Sequence, residues 1–306
     1  MGIFSAIGSA ISSIGSAIGG AIKSVGKAIC SGLGKVLAVG AGIVAGVAAA
    51  IVAGPLGIVV GPIVGLLTVH FVSKAVTALA KKLGIIQEEE KTEEIGYRVA
   101  EAEKHDDWKK RDDFPTFDEY YKYLKEKVPE VPQMTMEQKV NYQGVGITAL
   151  KNEISKHEEI DLTDTFMEQA ALCRMEPEQQ QAVIEAFKKS GYSRVEIKQY
   201  LQGMLPENES MRIREALLVA LQKQYPEKTP SELRDLLRDW KTASTDDTHR
   251  GVARMYKTEL IEERQKLDRG EPMIFDDYGM DLEDKQALQR ESLTQEKNSQ
   301  DGFGQI

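Results

Sequence analysis

Residues 5–15 read SAIGSAISSIG and residues 16–26 read SAIGGAIKSVG, identical at eight of eleven positions. Residues 27–37, KAICSGLGKVL, keep the large apolar positions and the alanine. The apolar residues are Ile7, Ile11, Ile14, Ile18, Ile22, Val25, Ile29, Leu33 and Val36, spaced by three or four throughout. Eleven residues over three turns is about 3.67 per turn, close to the helical 3.6, so these side chains line up as one nearly straight stripe. Ser, Gly and Lys fill the opposite face. The pattern is helical but the propensity is poor, since each Gly costs about 1 kcal/mol against Ala. Such a segment is expected to be weakly ordered in water and to fold on a surface, which a membrane interface supplies. Three arrangements fit the pattern: a helix lying in the membrane plane, a small-residue helix packed on copies of itself or on the next segment, or a low-complexity arm. Residues 1–22 carry no charge and are long enough to span a bilayer, against the cost of their Ser and Gly.

Charge divides the chain. The first 87 residues contain no Asp, Glu or Arg, and all 48 acidic residues lie from Glu88 onward. Six lysines, Lys23, Lys27, Lys35, Lys74, Lys81 and Lys82, give the N-terminal part a side-chain charge of +6. The remaining 219 residues hold 33 basic and 48 acidic side chains. Lysines flanking apolar sequence suit the headgroups of an anionic bilayer. The acidic remainder argues against nucleic acid as a partner, because neutralising phosphates needs basic patches. Two cysteines, Cys30 and Cys173, form neither a disulfide framework nor a metal-ligand spacing. Met1-Gly2 invites N-myristoylation, but the consensus Ser or Thr at the sixth position is Ala6 here.

From Val36 to Val69 there are 34 residues without a charge. One helix of that length would run about 51 Å, well beyond a bilayer core of about 30 Å. Gly54, Pro55, Leu56 and Gly57 form a turn signal in the middle. The expectation is therefore a hairpin of two apolar helices, about Val36–Gly54 and about Leu56–Val72. Small residues recur four apart in both: Gly42, Gly46, Ala50 and Gly54 in the first, Gly57, Gly61 and Gly65 in the second. That spacing lets helix backbones approach closely in lipid. A buried hairpin in a soluble core is the alternative. With Lys35 before the hairpin and Lys74, Lys81 and Lys82 after it, the positive-inside rule puts both ends, and the soluble region, on the cytoplasmic side.

The acidic region reads as all-α. Residues 87–94 suggest a solvated helix leaving the membrane surface. Thr116 with Glu119, Thr135 with Gln138, Ser193 with Glu196 and Thr229 with Glu232 have capping-box spacing. Pro177 after Glu176 reads as a first-turn proline. Apolar faces follow: Tyr120, Tyr123, Leu124 and Val128; Ala182, Val183, Ala186 and Phe187; Ile197, Tyr200 and Leu201; Leu233, Leu236, Leu237 and Trp240. The stretch Phe187 to Leu201 aligns with Leu221 to Leu237 if two residues are inserted, which suggests a duplicated helical hairpin. Asp106, Asp107, Asp112 and Asp113 with His105 read as a salt-bridged face rather than a metal site. Beyond about Gly270 periodicity is lost, and Met273 to Leu282 mixes acidic and apolar residues as a peptide that folds on a partner does.

The chain is thus expected to be all-α with four parts: an amphipathic repeat helix at 1–35, a membrane hairpin at 36–84, an acidic helical domain at 85–269 and a flexible tail at 270–306. No HExxH, P-loop, GxSxG or Cys/His cluster occurs, so neither an enzyme nor a cofactor is expected. The expected partners are an anionic bilayer, further copies of the chain through the N-terminal helices, and a protein bound by residues 88–306.

Three resemblances accompany this reading. The repeat resembles, in period, the lipid-binding helices of apolipoprotein-like and synuclein-like proteins. The Gly/Ala-rich hairpin resembles the membrane-inserting hairpin of pore-forming colicins. The opening residues 1–11, MGIFSAIGSAI, look like the starts of membrane-active minor virion proteins linked to genome delivery. These likenesses imply a protein that penetrates a membrane, from a virion or as a pore-forming toxin. A membrane-anchored scaffold with a protein-binding helical domain is the alternative from another class.

Overall fold

A computed structural model describes residues 61–134 and 136–245, together with Lys266 and Arg269. Their architecture is almost wholly helical. In chain order the elements are α1 (Gly61–Lys82), α2 (Thr92–Ala102), a 3-10 turn (Arg111–Asp113), α3 (Phe117–Lys127), α4 (Met136–Glu158) and β1 (Asp161–Leu162). Then follow α5 (Asp164–Leu172), α6 (Pro177–Lys189), β2 (Arg194–Val195), α7 (Ile197–Leu201), α8 (Glu207–Gln224) and α9 (Pro230–Thr245). The repeat at 1–35, most of the hairpin, and the tail at 270–306 lie outside the described residues.

Local chemistry explains most boundaries. The Thr116 hydroxyl accepts the Glu119 amide at 3.2 Å and starts α3. Thr229 and Glu232 cap α9 reciprocally, at 2.7 and 3.3 Å. Pro177 opens α6, where its missing N–H leaves no bond unmade. Gly191, at φ +78°, ends α6 as the left-handed residue of a C-terminal cap: its amide donates to the Lys188 carbonyl and the Tyr192 amide to that of Phe187. Glu159 (φ 54°) and Arg174 (φ 49°) perform the same turn without being glycine.

Ser193 departs from expectation. It caps nothing; its carbonyl accepts the Asp161 amide at 3.0 Å and leads into β2, which pairs in parallel with β1. The helix that follows is only five residues long and has no side-chain cap. Thr163 ties the two turns together, accepting the Phe166 amide and donating to the Val195 carbonyl at 2.7 Å.

The core is a single body. α4 is its spine and packs on both α1 and α2, while α6 packs on α8. Phe166, Phe187, Tyr200 and Trp240 are its largest fully buried side chains. The expected faces of α3, α6, α7 and α9 are buried, with Tyr123, Val128 and Leu236 at the margin. Of the two aligned stretches, Leu221 to Leu237 joins the packed helices α8 and α9. Phe187 to Leu201 runs from α6 through β2 into the short α7, which packs on α5 and α9 instead.

α1 changes the division of the chain. It runs past Val72 to Lys82, and Val69, Val72, Val76, Leu79 and Ala80 are buried, at 3% exposure or less. They pack in one core with residues beyond 85, so a boundary at 84/85 crosses that core. Full burial of a Val or Leu side chain contributes about 1.5–3 kcal/mol, an upper figure because unfolded chains already hide part of this surface. Among the described residues no helix is long and apolar enough to cross a membrane.

Candidate functional site

The sequence points to the junction between the apolar N-terminal part and the acidic domain, and α1 is where the structure describes it. Ile7, Ile11, Ile14, Ile18, Ile22, Val25, Ile29 and Leu33 lie outside the described residues, as do Gly42, Gly46, Ala50, Gly54 and Gly57 and the lysines Lys23, Lys27 and Lys35. Gly61 and Gly65 belong to the α1 backbone. Of the lysines set aside for lipid headgroups, Lys74 is exposed. Lys81 instead donates to the Glu88 carbonyl, and Lys82 pairs with Glu178 at 2.7 Å. The Lys82 ammonium holds the Glu178 carboxyl below its ordinary range, mainly through that hydrogen bond. Both lysines therefore serve the domain's own contacts.

Polar bonds fix α1 along its length. Gln180, fully buried on α6, donates from Nε2 to the Ala75 carbonyl at 3.3 Å and to the Met175 carbonyl at 3.0 Å. The Thr77 and Thr92 hydroxyls are bonded to each other. After Lys82 the chain turns at Gly84, φ +69°, and returns Ile85 and Ile86 to the core.

The next feature was missed by reading the sequence. Residues 87–94 are not a solvated helix. Glu90 is 4% exposed and paired with Lys125, and Thr92 is buried at the start of α2. α2 crosses α4 with backbone against backbone. A Cβ at Gly96 would overlap the Tyr142 carbonyl, and one at Gly146 would overlap the Thr92 carbonyl. The signal was present as glycines inside helical patterns, Gly96 and Gly146, each costing about 1 kcal/mol against Ala and so calling for a packing reason.

Buried charges reinforce this half. Arg98 donates to the Val128 carbonyl at 3.0 Å and to the Tyr121 hydroxyl at 2.9 Å, and its partner Glu94 lies 3.3 Å away. Arg111 grips Glu153 through two bonds of 2.9 and 2.6 Å, and Lys151 reaches Asp164 at 2.6 Å. Each buried charge has an opposite partner, which is what a low-dielectric interior requires. These are structural pairs, not a reactive constellation.

No family model matches the chain, and no curated protein or solved structure is similar to it.

The remaining chemistry is sparse. Among the described residues no group of three or more His, Cys, Asp or Glu side chains is placed to hold a metal ion. His105 stacks flat on Trp108, with ring centroids 4.2 Å apart, and the Lys127 ammonium lies over both Trp108, at 5.9 Å, and Tyr123, at 5.6 Å. Asp106, Asp107, Asp112 and Asp113 are exposed around this cluster. Cys173 is half-buried against the Trp240 carbonyl, and burial pushes its thiol up to about 12, away from a reactive thiolate.

Proposed function

We propose that this chain is a non-enzymatic membrane-inserting protein, and that its N-terminal part penetrates a bilayer in the manner of a minor structural protein of a virus or phage during genome delivery. One observation carries the proposal. An N-terminal part with six lysines and no acidic residue includes 34 uncharged residues, and these run directly into the helix that begins the protein core. A segment so apolar and so free of carboxylates favours an anionic bilayer over water. The repeat adsorbs first, the hairpin inserts, and its small residues allow copies to pack closely. The acidic domain stays in water and binds another protein.

A cellular anchor is the second reading, and the tie between α1 and the core is compatible with it. A domain held by a buried helix suits permanent attachment as well as delivery. Dye release from anionic and neutral liposomes separates the two. The comparison is the full chain against one starting at Gly61, which keeps α1. Release by the full chain alone, stronger on anionic lipid, supports penetration. Binding without release supports the anchor, and absence of binding rejects both.

A further inference from the structure

α1 is the described element that belongs to both halves of the molecule. Its backbone is helical from Gly61 to Lys82. The uncharged run ends at Val69, and Val69 is also the first residue of the described core, at 3% exposure. Among the described residues, one unbroken helix leads from Gly61 into the core, with no linker between. We infer that α1 is a rigid coupling rod, which fixes the orientation of the acidic domain relative to the bilayer and turns the domain whenever the inserted segment tilts, rotates or associates. This inference rests on the membrane reading.

The alternative is that insertion draws α1 out of the core and into lipid. The contacts oppose it. Val69, Val72, Val76 and Leu79 already sit in an apolar environment, so lipid offers them nothing further. Lys74 lies within the same stretch and would enter the hydrocarbon with it. Withdrawal would also take the Ala75 carbonyl from Gln180, a fully buried amide, and the Glu178 carboxylate from Lys82. The domain side would lose the cover over α5 and α6, against which α1 packs. A helix is stiff over this length, whereas a Gly/Ser coil of similar residue count is not. A continuous helix into a packed core therefore transmits rotation that a flexible linker would absorb.

The test uses the full chain on vesicles of phosphatidylcholine and phosphatidylglycerol. A long-lifetime fluorophore is placed on an introduced cysteine at the exposed position 239, as Asp239→Cys in a Cys30→Ser background. Co-sedimentation reports binding. Anisotropy decay of the bound label reports domain rotation, and amide hydrogen exchange reports protection of residues 69–82. The coupling rod gives a bound domain with no independent tumbling and with 69–82 as protected as in the free protein. A flexible Gly/Ser insert between Thr68 and Val69 then restores fast decay. Fast tumbling of the bound wild type, or loss of protection at 69–82, overturns the coupling while leaving the membrane reading intact. Failure to co-sediment overturns the membrane reading and the coupling with it. The exchange measurement needs no variant, so the test does not depend on how the insert folds.

Discussion

The stripe from Ile7 to Leu33 and the buried face of α1 share one pattern: large apolar residues three or four apart, with mostly small or polar residues between them. α1 and residues 5–37 each carry three lysines and no carboxylate, so composition does not tell them apart, and the described neighbours of α1 show what covers it. α1 has Lys82 facing Glu178, Ala75 facing Gln180, and Thr77 facing Thr92. Helical periodicity states that an apolar face exists. It does not state whether lipid or protein covers that face, and charged partners elsewhere in the chain carry that second piece of information.

The glycines make the same contrast, and altering them gives the largest effect. Gly42 to Gly65 have the spacing associated with close packing in lipid, yet the described close approach is between Gly96 and Gly146 in the acidic domain. Gly96→Ala is expected to cost more than about 4 kcal/mol, because backbone carbonyls cannot yield as a flexible side chain can. Urea unfolding would check this; a change below about 1 kcal/mol would mean that α2 and α4 do not cross so closely.

Leu79→Ala sharpens the comparison at α1. It should cost about 2–5 kcal/mol, as truncating a fully buried leucine does, and lower Tm by roughly 5–15 °C. A surface or lipid-facing leucine would leave the melting of the folded helical domain unchanged.

Acid loosens the charged side of the same junction. Glu178 and Glu185 are held below the usual carboxylate range, first by hydrogen bonds from Lys82 and Lys189 respectively. Their folded pKa values lie below the unfolded ones. Their contribution is therefore present above about pH 4.5 and is lost as pH falls through the depressed values. Melting curves from neutral pH downward should show a modest fall in Tm beginning in that range, smaller in Glu178→Gln. Both groups are partly solvated, which keeps the effect modest.

The smallest effect concerns a turn. Glu159 adopts φ 54°, the conformation that Gly191 supplies at the end of α6. Glu159→Gly should stabilise by up to about 1 kcal/mol, since relief of left-handed strain exceeds the added freedom of the unfolded chain. A loss of stability would show that the glutamate makes a compensating contact.

Much of the fold was legible because its signals are local. Thr116, Pro177, Gly191 and Thr229 act through residues within three or four positions of themselves, and they mark boundaries as their chemistry requires. Nonlocal features were not legible. Ser193 has the spacing of a cap but is drawn into a ladder by Asp161, 32 residues earlier. Glu90 sits in a run of charges that reads as solvated, and only Lys125, 35 residues on, explains its burial. The position of α1 depends on Gln180, 105 residues away. For the candidate site, the sequence identifies the junction through charge segregation, while its lysines turn out to be divided: Lys74 is exposed, and Lys81 and Lys82 are held by the domain.

The central claim is that α1 belongs to the protein core as well as to the apolar part. Thermal unfolding of two truncated chains tests it most directly, one beginning at Gly61 and the other at Glu88. The account predicts one cooperative transition for the chain from Gly61. It predicts loss of cooperative melting for the chain from Glu88, which lacks Val69, Val72, Val76 and Leu79. Equal, cooperative melting of both chains would contradict it and return α1 to the membrane hairpin.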